Sequence, residues 1–227
     1  MKKNLTVVTI AAALLMLAAN AQAGNFIKST FDTDNEGWQV VDIKNPSGYV
    51  ATPVVDFTYV ADYNAGVIYK ADPTPTDSYF FSAASKFLGN QSAMFGGTLS
   101  YDEWNYDDGV LDTGVILAGN GHSIYRTNMS GPHGAMTHYN LGLTANPDWH
   151  LDSPTGTIAT NSDIQSILSN LSGMYILGDW VYGTDTAALD NVAMSAPVPE
   201  PATMALLGVG SLLLLRHRRR QTGLVLN

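Results

Sequence analysis

Gly97-Thr-Leu-Ser-Tyr-Asp-Glu-Trp-Asn-Tyr106 is the stretch on which the fold turns. It is rich in the β-branched and aromatic residues that suit a pleated, half-buried surface, and it reads as a strand. Runs of the same kind recur on both sides between Gly, Asn, Asp and Pro clusters. They are Trp38 to Ile43, Val54 to Val60, Gly66 to Lys70, Tyr79 to Ser82, Val115 to Ala118, His122 to Thr127, Met136 to Leu143, Met174 to Val181 and Ala188 to Met194. Strands at this spacing, broken by turn residues, predict an all-β sandwich or barrel.

One helix interrupts the strands. Ser162 and Gln165 fit a capping box, Ile164, Ile167, Leu168 and Leu171 make one apolar stripe, and Gly173 stands where a C-terminal stop belongs. Residues 44 to 76 are less patterned, and Pro46, Pro53, Pro73 and Pro75 favour loops or edge strands there over a central strand.

Both ends of the chain differ from its body. Lys2 and Lys3 precede an apolar run from Leu5 to Ala19, and Ala21-Gln22-Ala23 supplies the small-residue pattern of a cleavage site. Residues 1–23 therefore read as a signal peptide, and signal peptidase would leave Gly24 first. From Gly24 to Ala196 five basic residues, Lys28, Lys44, Lys70, Lys86 and Arg126, stand against nineteen acids, a net charge of −14. Such a body repels a polyanion, which excludes nucleic acid as a partner. Cysteine is absent, so a domain bound for an oxidising compartment must rest on its core alone, and residues 24–196 suffice for one such core.

Several segments, in order, resemble laminin B (laminin IV type A) domains. They are Phe31-Asp-Thr-Asp-Asn-Glu-Gly-Trp38, Tyr79-Phe-Phe-Ser-Ala-Ala-Ser-Lys-Phe-Leu-Gly-Asn-Gln-Ser92, Phe95-Gly-Gly-Thr-Leu-Ser-Tyr101, Asp112-Thr-Gly-Val-Ile-Leu-Ala-Gly-Asn-Gly121, Leu168-Ser-Asn-Leu171 and Leu189-Asp-Asn-Val192. The resemblance implies a jelly-roll β-sandwich, galactose-binding-like, extracellular and non-catalytic. Unlike animal laminin B domains, which sit between cysteine-rich repeats, this chain has no cysteine.

At the other end Val198-Pro-Glu-Pro201 precedes the apolar Ala202 to Leu215, and Arg216, Arg218, Arg219 and Arg220 follow. This order is similar to the PEP-CTERM sorting signal of Gram-negative bacteria, here over 197–220. Fourteen apolar residues at about 1.5 Å each give roughly 21 Å of transmembrane helix over 202–215, with the basic tail 216–220 held in the cytoplasm. The resemblance implies that an exosortase cuts near Pro199-Glu200-Pro201 and passes the domain to the cell surface or the medium, often beside exopolysaccharide.

Catalytic patterns are thin. Asp102, Glu103, Asp107, Asp108 and Asp112 could serve glycoside chemistry, which needs two carboxyls about 5 to 10 Å apart, but they read more simply as a solvated acidic loop. There is no G-x-S-x-G elbow. Of the clustered His122, His133, His138 and His150, the pair His133 and His138 has a zinc-like spacing. Side chains five apart on a strand point to opposite faces, however, so these read as ordinary histidines.

Calcium is the better metal. Asp32-Thr-Asp34-Asn-Glu36-Gly37 places oxygen ligands at alternate positions before a glycine, as the first half of an EF-hand loop does, but Ile43 in position twelve rules out the whole motif. The galactose-binding-like resemblance implies one structural Ca²⁺ joining Asp32, Asp34 and Glu36 to Asp190 on the last strand. The simpler reading is a turn held by hydrogen bonds.

Sugar binding stacks aromatic faces on a pyranose ring and reads its hydroxyls with polar side chains. Trp104, Trp149 and Trp180, with Tyr106 and Tyr182, lie near polar loops and are the candidate platform, whereas Trp38 reads as core. The expected function is a non-catalytic surface or matrix protein that associates with exopolysaccharide. The alternatives are a purely structural surface protein and, behind both, a glycan-active enzyme.

Overall fold

The computed structural model describes residues 26–44, 53–73, 78–106, 113–132, 134–181 and 183–198. The expected signal peptide, the sorting residues Pro199, Glu200 and Pro201, the apolar segment 202–215 and the basic residues Arg216, Arg218, Arg219 and Arg220 lie outside the described residues. So do Asp107, Asp108, Asp112, His133 and Tyr182. Among the described residues no helix is long and apolar enough to cross a membrane.

Residues Asn25–Pro197 form a unit of two antiparallel sheets. The strands are β1 (Phe26–Ser29), β2 (Gln39–Lys44), β3 (Val54–Val60), β4 (Asp62–Asn64), β5 (Val67–Ala71), β6 (Ser78–Ser82), β7 (Thr98–Asn105), β8 (Val115–Gly119), β9 (His122–Arg126), β10 (Thr137–Gly142), β11 (Trp149–Leu151), β12 (Leu171–Leu177) and β13 (Thr186–Ser195), with helix α1 at Asn161–Ser169. The six-stranded sheet runs β10-β7-β13-β5-β4, with β1 also on β13, and the seven-stranded sheet runs β11-β9-β8-β12-β6-β2-β3. This is the all-β sandwich with one short helix that the sequence predicts. The poorly patterned segment supplies β3 and β4, one end strand of each sheet, as its prolines suggest. It also supplies β5, an interior strand paired with both β13 and β4, which the expectation of loops or edge strands missed.

Local chemistry explains the main turns. Asn120 (φ 53°) and Gly121 (φ 79°) join β8 to β9 in the two-residue Asn-Gly hairpin, which needs positive φ at both positions. Every residue of β8 is buried, because one face meets the core and α1 lies over the other. Gly119 permits that approach: a Cβ there would stand 2.4 Å from the carbonyl oxygen of Ile167.

The helix keeps its predicted stripe, with Ile164, Ile167 and Leu168 buried, but its start differs. The capping box is Thr160 with Asp163, not Ser162 with Gln165. Asp163 Oδ2 accepts from the Thr160 backbone N–H at 2.8 Å, and Thr160 Oγ1 accepts from the Asp163 N–H at 3.3 Å. The Thr160 hydroxyl, which donates to Asp163 Oδ2 at 2.7 Å, and the Thr160 backbone N–H together hold the Asp163 carboxyl below its ordinary range. Gly173 does not end the helix either. Asn170 does, and Gly173 belongs to β12, where a Cβ would meet the Tyr175 ring at 2.6 Å.

One core joins both sheets. Its aromatic centre is Trp38, which meets Phe31 edge-on at 5.9 Å and Phe87 at 5.4 Å and donates its indole N–H to Ser29 Oγ at 2.9 Å. Trp38 is a core residue, as the sequence suggests.

Candidate carbohydrate-binding face

Strand β7 decides which candidate residues reach solvent. Leu99, Tyr101, Glu103 and Asn105 are buried, while Thr98, Ser100, Asp102 and Trp104 alternate with them on the outer face and are half-buried. Trp104 meets Tyr106, which is 71% exposed, in a T-shaped contact at 6.4 Å between ring centres. These two of the five candidate aromatics form an accessible pair.

Trp149 and Trp180 correct the expectation: both are 0% exposed, and a ring without an open face cannot stack on a sugar. Trp149 donates to the carbonyl oxygen of Gly142 at 3.0 Å and lies under the Arg126 guanidinium, 6.0 Å from its ring centre. Trp180 donates to Glu103 Oε1 at 2.8 Å and lies parallel to Tyr139 at 6.5 Å, which in turn stacks on Tyr101 at 5.0 Å. Polar neighbours in the sequence suggested exposure, but tertiary packing places both indoles inside.

The carboxylate cluster divides in the same way. Asp102 and Glu103 point to opposite faces of β7. Burial lifts the Glu103 carboxyl well above the usual carboxylate range; the Trp180 N–H opposes that shift and the Asp185 charge adds to it. Its Oε2 has no hydrogen-bond partner among the described residues. Sealed from solvent, Glu103 is in no position to protonate a glycosidic oxygen beside Asp102.

Beside Trp104, the outer face carries a polar row that crosses three strands. His138 of β10 lies opposite Asp102 of β7, which lies opposite Asp190 of β13. His138 Nδ1 and Asp102 Oδ1 are 2.6 Å apart, and Asn191 Nδ2 donates to Asp102 Oδ2 at 2.9 Å and to Asp190 Oδ2 at 2.8 Å. The sequence held no local signal for this row, because its members come from strands joined only by register.

The predicted calcium residues come together only in part. Asp32 and Asp190 are close enough to interact: burial raises the Asp190 carboxyl, the charges of Asp102 and Asp32 add to the rise, and the Asn191 N–H and Lys28 oppose it. Asp34 and Glu36 serve the turn. Asp34 Oδ1 accepts from the Glu36 N–H at 2.7 Å, and Glu36 Oε1 accepts from the N–H groups of Thr30 (3.0 Å) and Phe31 (2.8 Å). Lys86 is ion-paired with Glu36 Oε2. Partial burial would raise the Glu36 carboxyl, but Lys86 and the backbone donors of Phe31 and Thr30 outweigh it and lower it to about 2. Among the described residues no three acidic or histidine side chains converge as a metal site.

Residues 80–206 match the family model described as laminin B (Domain IV), and residues 197–220 match the PEP-CTERM protein-sorting motif. No curated protein sequence matches the chain. Among solved structures, the L4b domain of human laminin alpha-2 is similar over 75% of this chain and 97% of its own, with a TM-score of 0.60 and 14% identity. A family 29 carbohydrate-binding module is similar over 76% and 85%, with a TM-score of 0.40 and 12% identity. The N-terminal cellulose-binding domain of a Cellulomonas fimi β-1,4-glucanase is similar over 75% and 95%, with a TM-score of 0.40 and 15% identity.

Proposed function

The chain belongs to the laminin B (Domain IV) family, and from that premise we propose that it is a non-catalytic surface or matrix protein that associates with exopolysaccharide through the outer face of β7. The PEP-CTERM motif marks a secreted protein sorted to the cell surface. In the proposed route a Gram-negative cell exports the chain through its inner membrane, signal peptidase removes residues 1–23, and an exosortase cuts near Pro199-Glu200-Pro201.

The accessible pair Trp104 and Tyr106 carries the binding reading, since it offers an apolar ring face bordered by Asp102 and its hydrogen-bonding neighbours. Trp104→Ala should reduce retention of the mature protein on the producing organism's polysaccharide by about tenfold or more, a loss of at least about 1.4 kcal/mol. Its thermal unfolding should stay close to that of the wild type. Absence of wild-type retention on any fraction of that polysaccharide would favour the second reading, a structural surface protein without a small ligand. The burial of Trp149 and Trp180 lends that reading its support.

A structural calcium ion between Asp32 and Asp190 is a separate part of the proposal, supported by the Asp32 charge that helps to raise the Asp190 carboxyl. At a hundredfold excess over Kd, calcium would stabilise the native state by about 2.7 kcal/mol. Calcium-loaded protein should therefore melt at a lower temperature after treatment with EDTA. Superimposable melting curves would dispose of the ion.

A further inference from the structure

Strand register places a second ring opposite Trp104, two strands away. Trp104 of β7 pairs with Ala188 of β13, Ala188 pairs with Tyr69 of β5, and Tyr69 pairs with Asp62 of β4. Directly opposed residues share a face, and the burial pattern agrees. Trp104 lies between buried Glu103 and Asn105, Ala188 between buried Ala187 and Leu189, and Tyr69 follows buried Ile68, while all three are half-buried on the outer side. Two strand intervals separate the rings by about 10 Å, and the residue between them has only a methyl group. The outer sheet face is therefore a trough with an alanine floor and aromatic walls.

Its polar rim is acidic. Asp102 and Asp190 form the acidic row beside the trough, while Asp62, opposite Tyr69, is neutralised by Lys70 at 3.0 Å. Carboxylates accept hydrogen bonds from sugar hydroxyls, yet they repel uronate, sulfate or phosphate groups, and the body as a whole carries −14. Resting on the glycan reading above, we infer that the ligand is an uncharged polysaccharide lying across the strands over Ala188, one of its sugars on Trp104 and another on Tyr69. Tyr69 is thereby a binding residue, and the small side chain at 188 is a requirement of the site.

The test uses the mature protein and the producing organism's exopolysaccharide, separated by anion exchange into neutral and acidic fractions. Wild-type protein should be retained by the neutral fraction, and equally at about 0.05 M and 0.5 M salt, because screening acts on charges and not on stacked rings. Tyr69→Ala and Ala188→Gln, both on the outer face, should each cut retention by about tenfold or more with little change in melting temperature. Retention confined to the acidic fraction, or lost in high salt, overturns the inference of an uncharged ligand. Retention abolished by Trp104→Ala but untouched by both trough variants overturns the trough while the glycan reading stands. Retention by neither fraction defeats the glycan reading itself.

Discussion

Trp180→Ala should lower the stability of the domain by about 3 to 5 kcal/mol, the range for truncating a large buried aromatic. The ring is 0% exposed, lies parallel to Tyr139 and donates a hydrogen bond to Glu103 Oε1 at 2.8 Å. Its removal would open a cavity and strip a buried carboxyl of its donor, and these penalties add to each other. In a domain of this size about 1 kcal/mol shifts the melting temperature by roughly 2 to 4 °C, so a fall of about 6 to 20 °C is expected. Trp180→Phe should lose less, since most of the volume remains while the indole donor is gone. Trp104→Ala serves as the control, because that ring stands on the outer face. If Trp180→Ala melted with the wild type, the burial described for this indole would be wrong.

The second large effect concerns sorting. Proline lacks the backbone N–H that a helix needs and disfavours helical geometry in the residue before it, so Pro199 and Pro201 are expected to keep the tetrapeptide extended and open to a membrane protease. The four arginines from Arg216 to Arg220 resist translocation, since each costs about 2.5 to 3.5 kcal/mol at the bilayer centre on insertion scales. Mass spectrometry of mature surface protein should accordingly find Gly24 first and a last residue close to Glu200. Replacing Pro199-Glu200-Pro201 with alanines should shift nearly all of the protein to an uncut form in the inner membrane. Mature surface protein that still ended at Asn227 would mean a permanent anchor in place of a transient one.

The reach of the sequence was uneven, for physical reasons. Runs with strong β chemistry and clear turn signals, such as Val54 to Val60 and Gly97 to Tyr106, became strands with ends displaced by no more than one residue. Strands β1, β4 and β11 escaped notice because each is only three or four residues long and exists through its partner: Trp149 to Leu151 is a strand because β9 lies alongside. The helix stripe was legible, but Thr160 with Asp163 and Ser162 with Gln165 both fit a capping pattern. Side-chain hydrogen bonds that composition cannot weigh chose the first.

The site was harder to read for the same reason. Trp104, Trp149 and Trp180 look alike in sequence, and only packing separates one outer ring from two inner ones. Tyr69 gave no signal at all, since its relation to Trp104 passes through Ala188, a residue far from both in sequence.

The pairing of β13 also bears on mechanical load. Its two flanks are a long ladder with β7, from Ala187 to Ser195 with a break in register between Asp190 and Ala193, and the shorter strands β5 and β1. A polymer gripped over Trp104, Ala188 and Tyr69 spans β7, β13 and β5, while the chain leaves the domain from the end of β13. Tension between the polymer and that exit runs along β13 and loads its hydrogen bonds with β7 together, in shear, because ladder bonds lie perpendicular to the strands. Tension between the two chain ends acts differently: Phe26 lies against Ser195, so β1 would peel from β13 one bond at a time, like a zip. The same domain would thus hold firmly in a tether running from polymer to cell and yield readily to a pull on its two ends.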